Sequence, residues 1–280
     1  LTTVRCLLFT VMTEEIERKL RGFDKESCDT QKRYAESIEE KAEEEPEDMI
    51  EYVPMIEPYI DVCEPQIGTE PTDDLLSAVG NVAKEYPEEV LPLSPALKRR
   101  LDESVEKDGL DNAVGASFAL GMVANEYPNV AENSISRFVE LTKLDNKYVS
   151  NNAMALLADL SAEYPDELVE YLRRCSAGLD SEDNYMRYNS LTLIARVAKE
   201  YPDEVEDKIG VDRIEGMLDA DEAIPREKAC WALMYLGERA TESVSRLKKV
   251  SEEDGSERVR KVAKKAVYHI ESEDKDWRVE

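Results

Sequence analysis

The chain has 280 residues, enough for one large domain or two ordinary ones, with 36 Lys and Arg against 63 Asp and Glu and a single histidine, His269. A net charge of −27 argues against an affinity built on neutralising nucleic-acid phosphates, and one histidine excludes His-rich metal sites and most His-based triads. Five scattered cysteines (Cys6, Cys28, Cys63, Cys175, Cys230), without a C-x-x-C pair, point to reduced thiols and a cytoplasmic setting.

Residues 1–26 stand apart as an N-terminal segment. Leu1 to Met12 is apolar and β-prone and gives way abruptly to charge at Thr13-Glu14-Glu15. It has only Arg5 for a basic start and lacks the small-x-small site of a signal peptide, so the expectation is a mis-called or non-standard start with Met12 the initiator, the alternative being a short packing segment. Residues 13–26 read as a polar helix. Gln31–Glu45 reads as an incomplete helix with Ile38 in its apolar register and Lys41 where later copies carry Val or Leu. Residues 59–74, with Pro65, Gly68 and Pro71, are expected to form an exposed acidic loop. No stretch approaches 18 to 20 apolar residues, so no membrane-spanning helix is expected.

One motif then recurs down the chain: AEEEPEDM (42–49), AKEYPEEV (83–90), ANEYPNV (124–130), SAEYPDEL (161–168) and AKEYPDEV (198–205). Its prolines, Pro46, Pro87, Pro128, Pro165 and Pro202, are 41, 41, 37 and 37 residues apart, and a degenerate sixth copy at 239–244 puts Thr241 in the proline's place. The residue before proline is pushed out of the α region, so Tyr86, Tyr127, Tyr164 and Tyr201 should end helices. Proline suits the first position of the next helix, and the acids after it face the positive end of that helix's dipole. Each motif is therefore a corner between two helices.

The helix before each corner, B, repeats an apolar face: Ala78/Val79/Val82, Ala119/Leu120/Val123, Leu156/Leu157/Leu160, Leu193/Ile194/Val197 and Ala232/Leu233/Leu236, with Val262, Ala263, Ala266, Val267 and Ile270 closing the series. The helix after each corner, A, is less regular. Pro54 and Pro95, eight residues past their corner prolines, predict a kinked A helix in the first two copies. Polar turns (144–146, 179–181, 218–221) join A to the next B. A two-helix unit repeated about six times cannot bury its apolar face alone, and stacking of neighbours supplies the core. The tail from 272 to 280, including Trp277, is expected to be flexible.

The kinked A helix, the Asp-containing turns and the Ser256-Glu257-Arg258-Val259-Arg260-Lys261-Val262-Ala263 run resemble the HEAT-repeat family of armadillo-like superhelices, over residues 27–271. The resemblance implies an all-α fold, a right-handed α-α superhelix of HEAT/armadillo-like type. It also implies a non-enzymatic scaffold or adaptor without cofactor or metal, holding a protein or peptide in a groove lined by the second to fifth B helices. The net charge adds a preference for a basic partner surface. It is also the charge expected of a halophilic archaeon, whose molar salt screens self-repulsion. HEAT-like bilin lyases and enzymes acting on alkylated DNA are the alternative that the same resemblance admits.

Three groups of residues are candidate sites. Copies 37 residues apart align Tyr148 with Tyr185 and Asn152 with Asn189, and Lys228 follows in the same place; stacked near the starts of B helices, these residues could hold an extended peptide. Between Arg239 and Ile270 nine basic residues face five acidic ones, and Arg258, Arg260, Lys261, Lys264 and Lys265 form a basic end that would serve a nucleic-acid-associated alternative. From Glu36 to Asp74, fifteen acids accompany one lysine, so this block could join the basic end of another copy in self-association. No Gly-rich phosphate loop, nucleophile elbow or H-E-x-x-H motif suggests catalysis.

Overall fold

The computed structural model describes residues 15–21, 23, 26–60, 69–106 and 111–272. The expectations for residues 1–12, for most of the tail and for Trp277 fall outside them. Every regular element among the described residues is helical. Seven long helices carry the repeated apolar face: α1 (Cys28–Glu44), α2 (Thr69–Glu85), α3 (Asp111–Glu126), α4 (Lys147–Leu160), α5 (Asn184–Glu200), α6 (Ala223–Leu236) and α7 (Glu257–Glu271). The five apolar triplets that the repeat aligns lie on α2 to α6, and none of these residues is more than 2% exposed. Burying each Leu or Ile among them contributes about 1.5–3 kcal/mol.

The corners share one backbone geometry. Glu45, Tyr86, Tyr164 and Tyr201 have φ between −139° and −124° and ψ between 51° and 67°, outside the helical region, and a proline opens the next helix after each. Each corner residue still donates its N–H to the carbonyl four residues back, at 2.8 Å, so the outgoing helix is closed before the chain turns. The four tyrosines of the motif are half-buried against their corners. At the sixth corner the proline is missing and the chain turns differently. Gly237 takes φ 59°, a left-handed value that favours glycine, and a 3₁₀ turn, Gly237–Ser243, leads into Val244–Glu253.

Two expectations need correction. The A helix is broken in all the copies, not only in those with Pro54 and Pro95. Pro165–Val169 gives way to Leu172–Cys175, and Pro202–Lys208 stops at Gly210 (φ 88°) before Val211–Gly216. The break therefore belongs to the repeat, and an internal proline is only one way to accommodate it. Residues 59–74 are not one loop. Tyr59 and Ile60 end the helix Val53–Ile60, and Thr69 to Asp74 are the first turns of α2, with Thr72 buried. Pro71 is the third residue of α2, within the first turn where a missing N–H costs nothing; residues 61–68 lie outside the described set.

The chain divides into two compact units, Leu1–Val130 and Ala131–Glu280. In the first, α1, α2 and α3 pack side by side in chain order. Residues 15–21 and 23 are part of this packing, with Ile16, Leu20 and Phe23 buried. Tyr59 donates its hydroxyl to the Leu20 carbonyl at 2.6 Å, and Gln31 donates to the Phe23 carbonyl. Helices α2 and α3 approach closely at two glycines. A Cβ on Gly80 would lie 2.3 Å from the Phe118 ring, and one on Gly115 would lie 2.6 Å from the Asp73 carbonyl oxygen. The N–H of Gly115 donates to the Asp73 carboxylate at 2.7 Å.

In the second unit α4, α5, α6 and α7 stack in chain order, and polar side chains tie each to the next. Asn151 donates to Asp183, the N-cap of α5, and Arg187 reaches Glu222, the N-cap of α6, at 3.2 Å. Arg226 grips Asp254, ahead of α7, through two bonds of 2.7 and 3.0 Å. Arg187, Arg226 and Arg260 also donate to carbonyls of the turn before their own helix, at Ser181, at Ala220 and Asp221, and at Asp254. A parallel series runs along the A segments, with Arg174 on Glu140, Arg213 on Asp180 and Arg246 on Glu215 and Asp219.

Candidate functional site

The residues singled out from the sequence lie mostly on α4 to α7, so the site is built within the second unit. The turn before α4 ends at Asn146, whose side chain accepts the N–H groups of Tyr148 and Val149. Asp183 does the same for Tyr185 and Met186 before α5. These caps fix the first turn of each helix and with it the direction of the tyrosine two residues on. Tyr148 and Tyr185 are 60% and 72% exposed. The next helix continues the row with Ile224, 54% exposed at the equivalent position of α6. Three consecutive stacked helices thus hold a large apolar side chain out to solvent at the same place. Single exposed apolar residues are ordinary, whereas these three recur at one position of successive helices.

One turn further along, the second rank of the expected ladder is less uniform. Asn152 is half-buried, Asn189 is buried, and Lys228 is half-buried with its ammonium 5.2 Å from the centre of the Tyr188 ring. The structure thus brings Lys228 to the ladder but places Asn189 inside the packing. Burial holds the Lys228 ammonium below the usual lysine pKa; Glu227 opposes this, and Arg196 and Arg258 add to it.

The next turn of α6 carries residues that the sequence reading passed over. Trp231 follows Lys228 by three residues, so it shares the same helix face. Its indole stacks on Tyr235 with ring centres 5.9 Å apart, and Lys265 of α7 lies 5.0 Å from the Trp231 ring. Beside this strip, Arg196 pairs with Asp159 at 3.2 Å and Arg258 pairs with the buried Glu227 at 2.6 Å. The repeat alignment sets Trp231 opposite Thr192 of α5, so no repeated residue type marks it in the sequence.

The basic end does not converge. Arg258 and Lys265 turn toward α6, Arg260 is spent on the Asp254 carbonyl, and Lys261 pairs with Glu257 one turn back on its own helix at 2.8 Å. Lys264 is exposed on α7. His269 is half-buried, and burial and Lys265 lower its pKa. The thiols of Cys175 and Cys230 are buried, and that burial pushes both up to about 12, far from the thiolate state a nucleophile needs. Among the described residues no group of three His, Cys, Asp or Glu side chains is placed to hold a metal ion, and no helix is long and apolar enough to cross a membrane.

No family model matches this sequence, and comparison with curated proteins finds no relative. Solved structures do match in fold. An engineered protein from a structural genomics consortium superposes with a TM-score of 0.75 at 18% identity, over 91% of this chain and 68% of that one. A designed armadillo repeat protein, solved in complex with the peptide (KR)4, gives 0.67 at 18% identity, over 78% of this chain and 99% of that one. A computationally designed armadillo repeat protein for modular peptide recognition gives 0.64 at 18% identity, over 79% and 99%. With the repeated corners and the stacked helices, these likenesses define the fold as an armadillo-like, all-α helical-repeat solenoid.

Proposed function

We propose that this protein is a non-enzymatic scaffold that binds a protein or peptide segment along the face formed by α4 to α7. The observation that carries this reading is the row of exposed side chains at Tyr148, Tyr185 and Ile224, repeated on helices that stack in order. Packed helix axes are about 8–10 Å apart, a step that roughly three residues of an extended peptide cover. A peptide laid across the helices would therefore meet each of these positions in turn. The aromatic strip at Tyr188, Trp231 and Tyr235 adds large contact area on the same helices, in residue types that dominate binding hot spots. The use of designed armadillo proteins for peptide recognition is consistent with this reading. The non-converging basic end gives the nucleic-acid alternative no comparable surface.

Selection of binders from a displayed random-peptide library against the full chain tests this. Selected peptides should slow amide exchange at the starts of α4, α5 and α6. The Y148A/Y185A double variant should bind them at least tenfold more weakly with its helicity unchanged. Failure to select any binder, or protection confined to the A segments, would refute the scaffold reading.

A further inference from the structure

The overall charge of −27 favours a basic partner, but the charges that line the aromatic strip have the opposite sign. Asp159 and Glu227, the acids beside Lys228, are engaged by Arg196 at 3.2 Å and Arg258 at 2.6 Å. Lys228 and Lys265 are left with aromatic faces alone, at 5.2 Å from Tyr188 and 5.0 Å from Trp231. Among the described residues no carboxylate lies within 4.0 Å of either ammonium. Lys228 is also half-buried, so it has given up hydration without gaining a direct ion pair, and the charges of Glu227 and Asp159 offset only part of that cost.

Resting on the scaffold reading above, we propose that the strip formed by Tyr188, Lys228, Trp231 and Lys265 takes an acidic extended peptide, with carboxylates on the two lysines and apolar side chains on the indole and phenol between them. The aromatic rings already hold the ammoniums in place by cation–π attraction, so little side-chain freedom is lost when a carboxylate binds. Two free cations match a segment with a few acids. A nucleic-acid strand, with a charge on every nucleotide, would meet the repulsion of the whole molecule with too few contacts to offset it. The long-range field fades over the Debye length, about 8 Å at 0.15 M salt, so the local lysines decide the sign of the partner there.

The test uses fluorescein-labelled octapeptides of alternating Glu and Phe and of alternating Lys and Phe, titrated with the full chain in about 0.15 M KCl, the salt at which long-range repulsion is screened. The acidic peptide should bind at least tenfold more tightly than the basic one. K228E/K265E should weaken it at least tenfold, whereas K248E/K249E, which changes net charge equally on the segment Val244–Glu253, should leave affinity within twofold. Circular dichroism checks that both variants stay helical. Tighter binding of the basic peptide, equal losses in the two double variants, tighter binding of an eight-residue oligothymidylate, or no binding of the acidic peptide would each overturn the proposal. If the basic peptide binds and Y148A/Y185A weakens it, the scaffold reading stands and only the acidic partner falls.

Discussion

The two units solve the same stacking problem with different chemistry. In residues 1–130, α2 and α3 close onto glycines, with the Phe118 ring lying over Gly80 and the Asp73 carbonyl and Leu76 side chain against Gly115. In residues 131–280, arginines reach from one helix to the cap of the next, through Arg187 to Glu222 and Arg226 to Asp254. The charge follows the same division. The first unit holds 30 acids and 13 bases, a net −17, and the second 33 and 23, a net −10. In the first, neighbouring carboxylates accumulate: burial above all, then Asp74, Glu43 and Glu36, hold Glu39 above the usual carboxylate range. In the second, carboxylates are drawn into pairs. Close approach at glycine thus marks the contact of α2 with α3, and arginine-to-cap pairs mark the contacts along α5 to α7.

The contrast breaks most sharply at Arg226 and Asp254, whose side chains are 16% and 7% exposed. R226M strands a mostly buried carboxylate and should cost about 2–3 kcal/mol, somewhat below the range for a fully buried pair. The loss should appear as faster amide exchange in α6 and α7, with α1 to α3 unaffected. Asp254 also gives the second unit an acid limb. The Arg226 hydrogen bond, chiefly, keeps its carboxyl below the ordinary value of about 3.9. The stability it supplies is thus complete above that ordinary value and disappears as pH falls through the lowered one. D254N should remove this part of the acid dependence, and an unchanged acid limb would show that the pair is not responsible.

Next in size is G115A. Its new Cβ meets backbone oxygen and the Leu76 side chain at 2.6 Å, and neither can yield without moving a helix. A cost of about 1–3 kcal/mol is expected, felt as lost protection in α2 and α3 while α5 to α7 keep theirs. Equal loss in both units would show that they do not answer separately to their own contacts. The smallest effect should come from KCl. Salt screens the self-repulsion of the more acidic first unit and weakens the exposed ion pairs of the second. Protection should therefore rise with KCl more in α1 to α3 than in α4 to α7. An identical response, or a flat one in both units, would argue against salt adaptation as the reason for the acidity.

What could be read from the sequence followed the reach of each physical cause. The corners were legible because proline acts on the residue next to it, and Tyr86, Tyr164 and Tyr201 adopt the backbone that this local rule predicts. The apolar register was legible because it repeats within single helices. Pro71 misled the reading of residues 69–74, since turn propensity does not tell a loop from the first turn of a helix. The arginine connections went unseen because their partners, 28 to 35 residues away, become neighbours only once the helices stack. At the candidate site the exposed tyrosines were found from their alignment, and Asn189 was placed on the surface although the packing buries it. Trp231 was overlooked because it has no counterpart of its own type in the other copies.

The shared backbone angles at Glu45, Tyr86, Tyr164 and Tyr201 give the chain interchangeable joints. Each makes the same local turn out of one helix and into the next, whatever helix precedes it, so a copy can be added or lost without a new kind of bend being needed.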